Sequence, residues 1–483
     1  MGLMTLGSSA ARHSIRVALM AILIFTPALW AEGRALSVSG AVSAALNNDP
    51  GIESSNWDWL ASEASAEVAR DKMLPSVALS AGYMKLSALS ASSIAVDKTG
   101  NVIIDTIDKN VATMLEDLFP SLTNSTSFKA SVQYPVFAGF RVIEAARIAK
   151  FQAQSKGLAI EIVKRALAFE VRRAYWEASR ANHGVETLKQ SLDMAKAYSR
   201  QIADRVSQGL ATNADQLTAG LHVSQAELSL TDALAGQRHA YFVLASLMGD
   251  KAAGEALSIS LDSSASLPYT LSTEPATSQT PLSRTQSEDS PEELIATALS
   301  RRPEIRIYGI AADAARHSAK IARGGLYPTV TLVGDYLYAD PNPRVIPVVD
   351  EFTGTWDVGI IVGFDLGGIP GSLAQGKSTD DLARKAGAEE QKQSDAIILD
   401  VRTCLLAVER TRRDLELAQG MVAQAEENLR ATKQKYDSGL VNEYDVLGAN
   451  VALLQSRYGV TSRLIDEQIA FADLSRALAV DEL

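Results

Sequence analysis

The chain has 483 residues, of which 47% are hydrophobic, 21% are charged and 6% are aromatic. This composition excludes collagen-like, mucin-like and wholly disordered proteins and favours a folded, helix-rich protein. The 46 Lys and Arg residues are outnumbered by 57 Asp and Glu residues, and the resulting net charge of -11 argues against a general nucleic-acid-binding protein, which needs basic surfaces to neutralise phosphates.

The first 31 residues have the pattern of a secretory signal peptide. Arg12 and Arg16 precede an apolar run from Val17 to Leu29, and Ala31 offers a small residue for cleavage. The run is too short to span a bilayer stably, although a signal anchor is the alternative interpretation. We therefore expect residues 1–31 to direct export from the cytoplasm. No later apolar run reaches about 18 residues, so any membrane-spanning segment has to be a strand.

Two parts of the chain, residues 32–255 and 294–483, match as internal repeats. The segment RVSQGLATNADQLTA, which begins at Arg205, aligns with KYDSGLVNEYDVLGA, which begins at Lys435. A second match, MLPSVALSAGY with LYPTVTLVGDY, lies upstream in each repeat. Between the repeats, residues 256–293 are rich in Ser, Thr, Pro and acidic residues and are predicted to form a linker.

Four segments alternate between apolar and polar residues, which predicts strands with two different faces. They cover about residues 76–85, 127–136, 329–338 and 355–364. Their length and their terminal aromatics are typical of transmembrane strands, although the alternation also fits a soluble, half-buried sheet. Open sheet edges are not tolerated in lipid, and the smallest membrane barrels have about eight strands. Several subunits would therefore have to pool their strands.

Long helices with heptad spacing of apolar residues are predicted on either side of two glycine turns. These helices cover residues 141–208, 213–248, 374–438 and 443–479. The turns are Gly209-Leu210 and Gly439-Leu440, and each glycine is expected to end its helix in the left-handed conformation. The pattern indicates two coiled-coil hairpins.

The combination of these features resembles the TolC-type outer-membrane efflux and secretion channels. The shared features are a signal peptide, two repeats of helix, strand, strand, long helix, Gly-Leu turn and helix, and the turn motifs GLATNADQLTA and GLVNEYDVLGA. The resemblance implies an α+β membrane protein that forms a homotrimer. Three chains would each contribute four strands to a 12-stranded β-barrel in contact with outer-membrane lipid, continued by a periplasmic tunnel of α-helical coiled coils. It also implies the outer membrane of a Gram-negative bacterium, with a large periplasmic portion.

In that family the tunnel docks onto a periplasmic adaptor protein, also called a membrane fusion protein, and through it onto an inner-membrane transporter. The resemblance therefore implies the exit duct of a tripartite efflux pump or of a type I secretion system, opened at its periplasmic helical tip. Efflux of drugs, solvents or metals and secretion of proteins stay open as alternatives. We expect no nucleic acid among the partners and no cofactor.

The resemblance also assigns candidate gate residues at the tip. Asp445 matches the position that forms an acidic ring at the aperture, where three carboxylates would attract cations. Tyr436 matches a gate tyrosine that bonds to the aspartate at the position of Asp215. Gly448 and Val441 occupy positions where the best-known members have a second acid and a basic residue. Capping of helix amino termini is the alternative role for both aspartates.

The sequence contains no recognisable catalytic or metal-binding pattern. The five His residues are isolated, and the HExxH, GxSxG, Walker A and Rossmann fingerprints are absent. The single cysteine, Cys404, is interpreted as a packed thiol. We therefore expect neither an enzyme nor a metal site. A filament-forming or structural coiled-coil protein without channel activity is the main alternative function, and a general diffusion porin is a weaker one.

Overall fold

The computed structural model describes residues 35–85, 124–250, 270–271, 290–346 and 349–480. The expected signal peptide and most of the predicted linker lie outside the described residues. The chain divides into two units. The first contains residues up to 50, 164–298 and from 399 onwards, and the second contains residues 51–163 and 299–398.

The elements form two series with the same order. The first series is β1 (Ala35–Leu36), α1 (Val38–Asn48), α2 (Pro50–Asp71), β2 (Ser76–Lys85), β3 (Asn124–Ala138), α3 (Arg141–Ser207) and α4 (Asn213–Leu247). The second series is β4 (Thr270–Leu271), α5 (Pro291–Arg301), α6 (Pro303–Ala322), β5 (Thr329–Asp340), β6 (Thr353–Gly363), α7 (Ile369–Asp437) and α8 (Glu443–Leu478). A short 3-10 turn, Arg323–Leu326, connects α6 to β5.

The second unit contains a four-stranded antiparallel sheet with the order β2-β3-β5-β6. The register pairs Val77 with Val132 and Tyr336 with Trp356, so apolar residues from neighbouring strands lie side by side on one face. Leu79 on this face is 82% exposed. Within the described residues, the edge strands β2 and β6 each have a single neighbour.

The junction between the sheet and the helices of the second unit is packed by aromatic and charged side chains. The rings of Phe140 and Tyr327 lie edge to face at 5.5 Å. Glu144 at the start of α3 is bonded to Arg147 at 2.6 Å and to His317 on α6. Burial works to raise the pKa of Glu144, but the hydrogen bond with His317 and the charge of Arg147 hold it below its usual value. The sheet is therefore anchored at its helical end.

The first unit has an apolar core between α1, α3 and α4. Small alanines on α3 and α4 allow the two long helices to pack closely, and Tyr241 and Leu244 fill the space between them. The Tyr175 hydroxyl donates a hydrogen bond of 2.9 Å to the Leu36 carbonyl, next to the two-residue parallel ladder of β1 and β4. Residues Thr270–Leu271 of the predicted linker therefore form a short strand. Among the described helices, none is both long and apolar enough to cross a membrane.

Candidate functional site: the two helical tips

Both predicted glycine turns end their helices in the same way. Gly209 and Gly439 have φ values of 73° and 72°, in the left-handed region. The amide of Leu210 donates to the Arg205 carbonyl and that of Leu440 donates to the Lys435 carbonyl, each at 2.8 Å, while the glycine amides bond one residue further along. This pattern is a Schellman motif, which satisfies the last carbonyls of α3 and α7. The two leucine side chains are exposed at the tips.

Both candidate aspartates act as helix caps within the chain. The Asp215 amide donates to the Thr212 hydroxyl at 3.2 Å, and the Thr212 amide donates back to the Asp215 carboxylate at 2.9 Å. Asp445 and Asn442 form the same reciprocal pair at 3.0 Å. Both pairs are capping boxes that satisfy the first amides of α4 and α8. Backbone and hydroxyl donors of Thr212 lower the pKa of Asp215.

Tyr436 has a different partner from the one implied by the resemblance. Its hydroxyl accepts a hydrogen bond of 3.0 Å from the Arg205 guanidinium, and the Asp215 carboxylate bonds to Thr212 instead. The same guanidinium nitrogen lies 3.5 Å from the Glu443 carboxylate. Within the described chain, the capping box thus engages Asp215 and Arg205 reaches Tyr436.

Arg205 connects three helices at the tips, since it lies on α3, Tyr436 on α7 and Glu443 on α8. Sequence reasoning missed both Arg205 and Glu443 as site residues. The available signal was Arg205 itself, the basic residue at the start of the RVSQGL motif. It lies in the last turn of α3, where the negative end of the helix dipole stabilises a cation.

A cluster of aromatic rings includes Tyr444, the residue that follows Glu443 in α8. The Tyr444 ring on α8 stacks on His222 of α4 at 5.0 Å and contacts Tyr198 of α3 at 6.2 Å. Burial, followed by the Glu443 and Asp215 carboxylates, raises the pKa of Tyr198. The tips are thus held together by one polar contact set and one ring cluster, both between helices that are distant in the sequence.

Other chemistry at the described residues is limited. No group of three or more His, Cys, Asp or Glu residues in the described ranges could hold a metal ion. Cys404 is buried and free, and burial raises the pKa of its thiol to about 12, as expected for a packed rather than a reactive thiol. Apart from its own helix backbone, Gly448 has no described heavy atom within 4 Å of the position that a Cβ would take, so a side chain at this position would have open space.

The comparisons with known proteins agree with this architecture. The chain is similar in fold to a membrane protein from Pseudomonas aeruginosa, with 20% identity, a TM-score of 0.70 and coverage of 91% of this chain and 90% of the other. The outer membrane protein VceC from Vibrio cholerae is 17% identical, with a TM-score of 0.69 and coverage of 91% and 95%. The CmeC outer membrane channel of Campylobacter jejuni is 15% identical, with a TM-score of 0.69 and coverage of 91% and 85%. No curated protein matched the chain.

The family comparison covers both series of elements. The model of the family described as outer membrane efflux protein matches residues 41–250 and 294–480, which is most of the chain. The resemblance to TolC-type channels and the outer-membrane location are thereby confirmed. The protein belongs to the outer membrane efflux protein family.

Proposed function

We propose that three copies of this chain form a channel through the outer membrane that continues into the periplasm as a helical tunnel. The observation that carries the proposal is the sheet. Its edge strands β2 and β6 have one neighbour each among the described residues, and its apolar face is exposed, with Trp356 at 75%. Lipid does not tolerate unpaired strand edges, so four strands can enter a membrane only by pairing with strands of other copies.

The two faces of the sheet fit the wall of a water-filled barrel. The apolar face carries the aromatic and aliphatic residues that suit lipid, and the opposite face carries Lys129, Asp335 and Asp357 together with several Ser and Thr residues. Three copies would supply 12 strands, each copy giving four. Strand β2 of one copy would then pair with β6 of the next.

The long helices support a tunnel built from several copies. Exposed apolar side chains recur along α4 and α7 at spacings typical of coiled-coil seams. They are Leu217, Leu221 and Leu228 on α4, and Leu399, Leu406, Leu417 and Met421 on α7. A single chain leaves these stripes uncovered, and helices of neighbouring copies would cover them. The matching order of elements supports two repeats, 32–255 and 294–483, on either side of the segment 256–293.

The helical tips are the proposed gate of the tunnel. Arg205 holds α3 against Tyr436 and Glu443, so moving α7 and α8 away from α3 requires breaking this contact. Asp445 caps α8 and is exposed, so three copies would place three carboxylates around the aperture and favour cations there. Because Gly448 has no side chain, one acidic ring is proposed rather than two.

In the cell, the channel would be the passive exit duct of a tripartite efflux pump or of a type I secretion system. A periplasmic adaptor would contact the exposed tips that carry Leu210 and Leu440, and an inner-membrane transporter would supply the energy through that adaptor. Family membership supports the efflux role, and the proposal assigns neither an exported substrate nor a particular pump.

The test is the mass of the particle extracted from the outer membrane with detergent, measured by light scattering with correction for bound detergent. We expect a mass close to three mature chains and ion conductance in planar bilayers. A soluble monomer in the periplasm would contradict the proposal, because the four strands would then form an ordinary sheet. A large assembly without conductance would favour the filament interpretation.

A further inference from the structure

The turn after β5 folds back over the polar face of the sheet. Asn342 is 1% exposed, and its side-chain amide donates to the Thr353 carbonyl at 2.9 Å and to the Thr355 hydroxyl at 3.1 Å. Its side-chain oxygen accepts a hydrogen bond of 3.0 Å from the Arg344 amide. Thr355 lies on the polar face because it alternates with Trp356, so the turn is attached to that face.

A row of charged side chains on the polar face begins at the turn and crosses three strands of the sheet. The Arg344 guanidinium forms an ion pair with Asp357 of β6. Asp357 lies directly opposite Asp335 of β5 in the strand register, and Asp335 is 3.1 Å from the Lys129 ammonium of β3. Two cations thus balance two carboxylates, and the row has no net charge.

The chain that leaves the turn is held on the other face. The Phe352 ring stacks on Tyr338 at 5.1 Å and contacts Phe128 at 6.4 Å, and both partners belong to the apolar face. Ala339, on the polar face next to the turn in the sequence, is only 1% exposed, whereas its neighbours on that face, Leu337 and Thr355, are half-buried. Because Asn342 and Arg344 both bond to β6, the turn has a fixed position over the polar face of the strands.

This turn lies at the end of the sheet opposite to the helices. Strand β5 begins next to α6 and ends at the turn, while β6 runs back from the turn to α7. If the helices are periplasmic, the turn is at the outer end of the barrel. If the polar face lines the lumen, the turn projects into the channel.

We infer that the turn Pro341–Ile346 narrows the outer mouth of the channel and sets the largest molecule that passes. The inference rests on the proposed function, because only a closed barrel makes the polar face an interior. Three copies of the turn would project from the wall towards the axis. Since the charge row is balanced, the constriction selects by size, and removing the Arg344 charge would add a preference for cations.

The size filter can be tested by cysteine labelling in intact cells that produce the full chain. The reporter is Gln133→Cys, on the polar face of β3 and nearer to the helices than Lys129. The matched control is Val132→Cys, its neighbour on the apolar face. Each is treated from outside with a small maleimide and with a maleimide that carries a long polyethylene glycol chain. The native Cys404 is buried and serves as the unreactive background.

Releasing the turn with Asn342→Ala and Arg344→Ala should raise the labelling rate of the reporter by the long probe several-fold and leave the rate for the small probe unchanged. Equal rates before and after release, or a long probe that already reacts as fast as the small one in the parent chain, would overturn the size filter. If the small probe reacts with Val132→Cys and not with Gln133→Cys, the polar face does not line a lumen and the proposed function itself fails.

A second variant keeps the inference testable if the double variant does not insert. Arg344→Gln removes one charge and retains the Asn342 bonds that hold the turn. In planar bilayers with a salt gradient, its reversal potential should shift towards cations relative to the parent channel, because Asp357 loses its partner. A reversal potential equal to that of the parent would show that the row is away from the ion path and would overturn the inference.

Discussion

The two helical tips reach the same backbone conformation with different side chains. One has a Thr212 hydroxyl and the other an Asn442 amide oxygen as the cap, yet both form a Schellman motif followed by a capping box. The contact between the tips is not symmetrical, because Arg205 of the first reaches Tyr436 and Glu443 of the second. Lys435, which aligns with Arg205 in the sequences of the two tips, forms no ion pair among the described residues. The two tips therefore share the turn geometry, and they differ in the contact of Arg205 with Tyr436 and Glu443.

Substitution of the two glycines should have the largest effect on the turn geometry that the tips share. Gly209→Val or Gly439→Val should each destabilise its tip by about 1–2 kcal/mol, because a branched side chain disfavours positive φ. Apart from the adjoining residues, no described heavy atom lies within 4 Å of an added Cβ at either glycine, so the cost is conformational and equal for both. Hydrogen exchange of peptides across each turn would measure it. Gly220→Ala, in open space within α4, is the matched control, and an equal loss of protection there would contradict the explanation.

Substitution of the two N-cap residues should have the next largest effect on the local stability of the tips. Thr212→Ala and Asn442→Ala remove the side-chain acceptors and should each cost about 1 kcal/mol of local stability. A similar increase of hydrogen exchange in the first turn of α4 and of α8 is expected. Thr218→Ala, whose hydroxyl bonds only to the Ala214 carbonyl within α4, is the control and should change little. A large difference between the two caps would show that the tips are not equivalent.

Loss of the contact between Arg205, Tyr436 and Glu443 should affect gating of the channel more than the stability of the fold. Arg205 is partly exposed, so Arg205→Ala should cost less than about 1 kcal/mol. It should nevertheless raise the open probability of the channel in planar bilayers, since α7 and α8 lose their bond to α3. Lys435→Ala is the matched variant on the other tip and should leave gating unchanged. If both variants raise the open probability equally, the effect comes from the loss of a positive charge at the tips and not from the loss of the Arg205 contact.

Replacing the carboxylates by amides separates capping from ion selectivity. If Asp445 lines the aperture, Asp445→Asn should reduce the preference for cations, measured as a shift of the reversal potential in a salt gradient. Asp215→Asn removes the same charge from the matching position of the other tip and should leave selectivity nearly unchanged. Equal selectivity in the parent and in Asp445→Asn would leave Asp445 with its capping role alone.

Acid should weaken the first tip by a small amount. The pKa of Asp215 is lowered in the folded chain, so its capping contributes stability above the unfolded value of about 3.9 and loses it as the pH falls through the folded pKa. Pepsin cleavage next to Leu210 should therefore accelerate as the pH is lowered below about 4, relative to the Asp215→Asn variant. The same pH dependence in that variant would show that another group is responsible.

The local features of the fold were predictable because they depend on neighbouring residues. Alternation located the strand observed at Ser76–Lys85, and the observed β3 extends beyond the predicted 127–136 at both ends. The helix predicted from 374 begins at Ile369, because a side-chain oxygen of Asp365 accepts from the Gly368 amide and prepares the start of the helix. The glycine turns follow from their position after long heptad patterns.

The contacts that connect distant segments were not predictable from pattern alone. The bond from Arg205 to Tyr436 joins residues 231 positions apart, and its register depends on how α3 and α7 pack. The ladder of Ala35–Leu36 with Thr270–Leu271 is too short to show alternation. Asn342 lies in a turn, where a buried amide has no sequence signature that distinguishes it from a solvated one.

The unpaired edges of the sheet have a consequence for biogenesis. Within the described residues, β2 and β6 each have one unpaired edge and Leu79 is exposed, so a lone subunit is a candidate for aggregation in water and is excluded from lipid. Subunit association and bilayer entry would therefore have to be coupled, which makes insertion depend steeply on subunit concentration. A co-expressed chain that pairs at one edge and cannot pair at the other would be incorporated into unfinished rings, and it would suppress the wild-type channel in a dominant manner.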